Sequence, residues 1–199
     1  STQAIFDYFD IAKPTPLNGH FQYLAELNLS SEDKKYPLLT IKSDLKGVSC
    51  QCPAPFSKNA HEKEDLNLSI LLKPEQTYLD ASLKSKHLPS IDAEFMFIKD
   101  QPTFGEVLIG GAKVVSTNNK GINVAANLPL ANLESWINFL PEVLNSKSAA
   151  ETNDDPLLKQ VQLEIKNLDG FGYLFQQTNI DIKPKEDHWL LEINGKNVK

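Results

Sequence analysis

The side chains that could perform acid–base or metal chemistry are scattered along this sequence. Four histidines, His20, His61, His87 and His188, lie beside predicted turns, and no two of them are spaced to place two ligands on one helix face. We interpret them as solvated turn residues. The acidic run at residues 151–155 lacks the spacing and the glycine of a calcium-binding loop. It is therefore interpreted as solvated charge.

The two cysteines, Cys50 and Cys52, are the other candidates for special chemistry. A single residue separates them, so on an extended strand both side chains point the same way. Same-face neighbours on a strand are poorly placed for a disulfide, and no further cysteine or histidine lies nearby to complete a metal site. We expect two small core residues.

Phosphate-binding and nucleophile motifs are also missing from the sequence. The Gly110-Gly111 pair and the Gly170-Phe171-Gly172 segment do not match a loop that binds phosphate between a strand and a helix. No serine occupies a Gly-x-Ser-x-Gly elbow. We therefore expect a protein that is not an enzyme, with no catalytic residues, no metal and no cofactor.

The strongest pattern is an alternation of apolar and polar residues between residues 66 and 97. Three runs each place an apolar residue at every second position, and turn-like residues at 73–76 and 87–90 separate them. Because strand side chains alternate between faces, this predicts an antiparallel meander with one apolar face. The residues that we assign to that face are Leu68, Ile70, Leu72, Leu79, Ala81, Leu83, Ala93, Phe95 and Phe97.

The remaining sequence predicts more strands and one clear helix. The helix spans about residues 132–140, with Asn132 as N-cap and an end or kink before Pro141. A weaker helix is predicted at 3–9, a polar loop at 56–65, a hairpin turn or bulge at 110–111 and an exposed loop at 145–156. The fold class is mainly β: an extended, twisted antiparallel sheet with one or two short helices. We divide the single β-rich segment 1–199 into a first sheet portion (about 1–128), the helix (129–145) and continuing strands (146–199).

Composition narrows the partners of this 199-residue chain. Its formal charge is -6, with no concentrated basic footprint, which argues against nucleic acid as a partner. No apolar run approaches the roughly 20 residues that span a bilayer, and no signal peptide is visible. The first residue is Ser1 rather than Met, so we expect a piece of a longer protein whose targeting signals lie elsewhere.

Two interpretations of the apolar face remain open at this point. Alternating strands most often build a sandwich or barrel with a sealed core. The other interpretation is a sheet whose apolar face is a groove left partly open for a lipid chain. A sealed domain would be structural or would bind other proteins.

Several stretches of the sequence carry a family resemblance when they are taken together. They are 15–19 (TPLNG), 44–48 (DLKGV) running on to 52–56 (CPAPF), 121–124 (GINV) through 133–137 (LESWI), and 161–165 (VQLEI) through 189–193 (WLLEI). In their order and spacing, which cover most of the chain, they resemble the YhdP proteins, which are large AsmA-like proteins of Gram-negative bacteria. Cys50 and Cys52 stand where the family pattern has aliphatic residues, which favours the core interpretation of both.

The resemblance implies a non-enzymatic part of a bridge protein in the cell envelope. YhdP-like proteins are anchored in the inner membrane and extend through the periplasm. They are built from repeating β-groove units and are implicated in phospholipid transport toward the outer membrane and in its barrier integrity. This chain would then be a periplasmic segment without the anchor. Its partners would be phospholipid acyl chains, neighbouring segments of the parent protein and, through the anchor, the membrane.

Overall fold

The structure, a computed structural model, describes residues 16–29, 36–99, 101–113, 120–144, 157–185 and 188–198. The predicted helix at 3–9 and the predicted loop at 145–156 lie outside the described residues. The elements are β1 (Leu17–Gly19), β2 (Leu24–Asn28), β3 (Leu38–Ser43), β4 (Val48–Cys50), β5 (Asp65–Lys73), β6 (Gln76–Lys84), β7 (Ile91–Ile98), β8 (Gln101–Ile109), β9 (Gly121–Leu128), β10 (Ala131–Asn132), α1 (Leu133–Leu144), β11 (Leu158–Gly170), β12 (Tyr173–Lys185), β13 (His188–Asn194) and β14 (Asn197–Val198).

Most strands join one large sheet, which confirms the mainly β fold class. Twelve described strands belong to this sheet. Ten of them follow the order β13, β12, β11, β9, β8, β7, β6, β5, β3, β2, while β10 pairs with β11 and β14 with β12. The outermost described strands are β2 and β13, so the described sheet does not close into a barrel.

The strands β5 to β8 form the predicted antiparallel meander. The β5–β6 turn consists of two residues, Pro74 and Glu75, and Glu75 has a φ of 64°. Proline followed by a positive φ is typical of a type II turn. Phe171 and Gly172, both with positive φ, likewise join β11 to β12. These tight turns fix the register and therefore which side chains share a face.

The sheet is mixed rather than wholly antiparallel, because β9 runs parallel to both β8 and β11. The predicted hairpin at Gly110 is therefore wrong: the chain leaves β8 there and crosses over. A Cβ on Gly110 would lie 2.1 Å from the Asn127 carbonyl oxygen, so the crossover starts close against β9. Parallel strands need such crossovers, which cover the faces of the sheet. In β9 the successive side chains of Ala125 and Ala126 are both buried.

The helix α1 forms the second crossover, between β9 and β11. The backbone N–H of Ser135 donates to the Asn132 side-chain oxygen at 2.8 Å, which confirms Asn132 as N-cap. Of the predicted end or kink near Leu140, the end is wrong, because the helix continues to Leu144. Pro141 lacks the N–H that would bond the Ile137 carbonyl. Ile137 is exposed, so water can hydrate the carbonyl that loses its partner.

The strands β1 and β4 pair with each other in a separate two-stranded sheet. Just after β4, Cys50 and Cys52 form a disulfide, so the expectation of two unpaired core cysteines is wrong. The expectation assumed that Cys52 continues the strand, but β4 ends at Cys50. The two Cα atoms are 5.3 Å apart, within the usual disulfide range.

Candidate functional site

The nine predicted residues all lie on one face of the sheet. The pairing register places them in rows across β5, β6 and β7. We call this side of the large sheet the apolar face. Its central rows are Leu68–Ala81–Ala93 and Ile70–Leu79–Phe95, flanked by Leu72–Thr77–Phe97 and Leu66–Leu83–Ile91.

Most of these nine side chains are only partly buried. Ile70 and Ala93 are buried, Leu72 is 43% exposed, and the other six are half-buried. A sealed core would bury most of a central strand's inward side chains. The central part of the apolar face therefore keeps contact with solvent.

Phe95 lies at the centre of this face and packs directly over Gly105 of the neighbouring strand. A Cβ on Gly105 would lie 2.6 and 2.8 Å from two carbons of the Phe95 ring. The ring centroids of Phe95 and Phe97, two residues apart on the same face, are 6.4 Å apart. The glycine thus provides the space that lets an aromatic ring lie flat against β8.

The apolar face extends on both sides beyond the nine predicted residues. Leu27 of β2 lies in the Ile70 row, and Leu191 and Ile193 of β13 continue the face beyond β12. These three side chains are between 54% and 57% exposed. Alternation within each strand could have identified them, because β2 and β13 have the same apolar period as the meander.

The same face is closed near α1. A buried cluster lies there, and Leu133 and Trp136 of the helix pack against it. The buried members of this cluster are Ala126, Leu128, Ala131, Ile165, Leu168 and Ile180. The Glu134 carboxylate accepts a hydrogen bond from the Phe171 N–H, which ties the first turn of α1 to the β11–β12 hairpin.

Phe56 reaches this cluster from a distant part of the sheet. It belongs to the connection between β3 and β5, yet it packs against the cluster and its ring centroid lies 5.8 Å from that of Trp136. Strands β6, β7 and β8 lie between β5 and β9 in the sheet order. With about 4.8 Å between neighbouring strands, the connection spans roughly 19 Å. The predicted polar loop at 56–65 therefore includes an apolar anchor.

This connection and the segment paired with it form a small unit, residues 16–20 and 44–64, which we call the cap. Inside the cap, Lys58 is 7% exposed and its Nζ lies within hydrogen-bond distance of four backbone carbonyl oxygens, which share its three N–H donors. The distances are 3.0 Å to Leu45, 2.8 Å to Val48, 3.1 Å to Asn59 and 2.8 Å to Glu62. One ammonium group thus joins both ends of the connection.

The chain enters and leaves the connection at one point. The Glu64 N–H donates to the Asp44 carbonyl oxygen at 2.8 Å, and Lys63 pairs with the Asp44 carboxylate at 2.9 Å. Glu64 is 1% exposed, and neither of its carboxylate oxygens has a hydrogen-bond partner among the described residues. Burial lowers the pKa of Lys58, while the nearby carboxylates, Glu64 first, oppose that shift.

The opposite face of the sheet is mostly polar and carries most of the charged side chains, with one apolar row, Leu71–Tyr78–Met96–Phe104, across β5 to β8. A depression of about 590 Å³ lies there over β9, β11, β12 and β13, lined by amides and carboxylates such as Gln162, Glu164 and Asn179. Asp181, in its lining, accepts hydrogen bonds from Gln160 and Lys183. Burial raises the pKa of Asp181, but the two bonds and the Lys183 charge together outweigh burial, so the pKa is lowered. This polar surface faces away from the nine predicted residues.

Within the described ranges, no group of three or more His, Cys, Asp or Glu side chains is arranged to hold a metal ion. In the same part of the chain, no helix has both the length and the apolar character needed to cross a bilayer.

These features define a class: an open, mostly antiparallel sheet with one exposed apolar face and a polar back. The family model described as YhdP protein matches residues 4–199, and the chain therefore belongs to the YhdP family. Membership supports an AsmA-like protein of the cell envelope, and the family is not a known enzyme family. Comparison with curated proteins and with solved structures gives no match.

Proposed function

We propose that this chain is a periplasmic segment of an inner-membrane-anchored bridge protein and that its apolar face forms a groove for phospholipid acyl chains. The observation that carries the proposal is partial burial: six of the nine predicted residues are half-buried and Leu72 is exposed. Membership in the YhdP family supports an envelope location. Neighbouring segments of the parent protein would continue the groove beyond β2 and β13.

The chemistry of the face suits a sliding acyl chain. Transfer of a chain from water to an apolar surface gains about 0.8 kcal/mol for each buried CH₂ group. The rows from Leu66 to Phe97 offer aliphatic and aromatic carbon at every position except Thr77. Few polar partners lie in the path, so no single position would hold a lipid strongly.

The test is native mass spectrometry of the 199-residue chain after incubation with phospholipid vesicles, with the bound lipid extracted and identified. Phe95→Asp places a carboxylate at the centre of the apolar face, and we expect it to abolish lipid binding. Asn67→Asp is the control: it introduces a carboxylate on the opposite face of the sheet, across from Lys42 and Ser82. We expect this variant to bind lipid as the unchanged chain does, and circular dichroism checks that both variants fold.

A sealed structural or protein-interaction domain is the second candidate, and one observation favours it: both faces of β9 are covered. If the unchanged chain takes up no phospholipid and Phe95→Asp unfolds it, the apolar face is closed core. The lipid proposal would then be wrong, and the role of a spacer across the periplasm would replace it.

A further inference from the structure

We propose that the cap is a hinged cover that controls the entry of acyl chains to the apolar face. The inference rests on the proposed function and adds a means of regulation to it. Its starting point is the path of the β3–β5 connection, which could have been a short turn between neighbouring strands. Instead, through Phe56, it reaches α1 and the buried cluster, which includes residues of β9, a strand four places from β5 in the sheet order.

The cap has the internal bonding of a rigid body. The ladder between β1 and β4, the four carbonyl contacts of the Lys58 ammonium and the paired backbone hydrogen bonds between Cys50 and Lys58 all lie within it. Its two strands form no ladder with the large sheet among the described residues. A body with this bonding can move as a unit, because its internal hydrogen bonds need not break.

The attachment of the cap to the rest of the molecule is narrow. At one side the connection begins and ends beside the Asp44–Glu64 backbone hydrogen bond. On the same side, residues 21–23 join the β1 part of the cap to β2, and the Ser43 hydroxyl donates to the Gln22 carbonyl oxygen at 2.6 Å. The Leu45 carbonyl oxygen and the Gly47 N–H are bonded inside the cap, to Lys58 and to Ala60, so we place the hinge at the stem itself, at residues 43–44 and 64–65. At the far side, Phe56 makes an edge-to-face contact with Trp136, and both rings are only half-buried.

The packing of Phe56 at the far side joins the cap to the rest of the molecule. Among the described residues, Phe56 is the cap side chain that packs against the buried cluster. The buried Glu64 carboxylate lies at the stem, near the Lys58 charge, and both groups belong to the cap. Their interaction need not change when the cap moves as a unit, so truncation of Phe56 is the change that should free the cap.

The first experiment measures cap opening without any lipid. Hydrogen exchange of the 199-residue chain is followed by mass spectrometry in the unchanged protein, in Phe56→Ala and in Phe56→Leu. We expect the cap amides to exchange about 5- to 30-fold faster in Phe56→Ala. This factor corresponds to a decrease of about 1–2 kcal/mol in the free energy of cap opening. Phe56→Leu keeps an apolar tip and should change little. Amides of β5 to β7 should be unaffected.

The second experiment measures how fast phospholipid enters the apolar face. Vesicles of phosphatidylethanolamine and phosphatidylglycerol carry a trace of dye-labelled phosphatidylethanolamine, and the rate of transfer to the chain is recorded. We expect faster transfer to Phe56→Ala, with the amount bound at equilibrium unchanged. Trp136 fluorescence in a Trp189→Phe background reports the position of the cap in parallel, because the chain has two tryptophans.

The outcomes separate the two proposals. Cap exchange that is unchanged in Phe56→Ala overturns the hinged cover. If the cap amides exchange faster in Phe56→Ala but lipid transfers to it at the same rate as to the unchanged protein, the cap does not regulate lipid entry. The proposal of a lipid groove is then unaffected. No transfer to any of the three proteins overturns both the groove and its regulation. Transfer to Phe56→Ala that exceeds transfer to the unchanged protein supports the proposal.

Discussion

The strands β5 to β7 and the strands β9 to β11 belong to one sheet but are covered differently. In β5 to β7, a two-residue turn and a six-residue loop connect antiparallel neighbours, no crossover connection joins them, and most of the apolar side chains stay half-buried. In β9 and β11, parallel pairing requires two crossovers, and Ala126, Leu128 and Ile165 are buried beneath α1. Connectivity therefore decides which part of the sheet is core and which part remains an accessible surface.

The largest expected effect comes from removing a side chain in the covered region. Ile165 is 4% exposed, and Ile165→Ala should lower the free energy of unfolding by about 2–5 kcal/mol through lost burial and a cavity. Leu72→Ala, in the open region, should cost less than about 1 kcal/mol because Leu72 is 43% exposed. Urea unfolding measures both. Equal losses would show that the two regions are equally buried.

A smaller effect is expected where Phe95 packs over Gly105. Gly105→Ala would bring a methyl group to 2.6 Å from the Phe95 ring, which must move. We expect a loss of about 1–3 kcal/mol. Adding Phe95→Leu should recover part of this loss, so a double-mutant cycle should show coupling. Additive losses would show that the ring does not rest on the glycine.

The smallest effect concerns the polar back of the open region. Asp80, Glu94 and Glu106 lie directly opposite one another across β6, β7 and β8. Glu94→Gln should relieve repulsion and stabilise the fold by about 0.2–1 kcal/mol at low salt, with less gain at high salt. The control is Asp65→Asn, which removes a carboxylate opposite Lys84 and should have the reverse sign. A gain that is independent of salt would contradict this explanation.

Local patterns predicted the parts of the fold that depend on local rules. Alternation placed all nine residues on one face because the side-chain period of a strand is independent of its partners. The N-cap at Asn132 and the turn at Pro74 follow from side-chain chemistry within a few residues. Whether these nine side chains bind lipid stays a prediction.

Features that depend on contacts between distant residues could not be predicted from local sequence patterns. The period of β9 is the same for parallel and antiparallel pairing, so its direction was not predicted. Phe56 stands in a polar stretch, and its contact with Trp136 joins segments 80 residues apart. The cysteine prediction failed because it assumed that β4 continues past Cys50. The mixed sheet, the cap and the disulfide all required the tertiary structure.

The insertion of β9 between β8 and β11 also has a consequence for how the protein folds. The pairs β5–β6 and β11–β12 close through two-residue turns, which is fast. The β9–β11 pair must first close a connection that runs from Leu128 to Leu158, and such non-local pairing is slow. We expect the two antiparallel portions to form independently, and the docking of β9 to be the slow step that joins them.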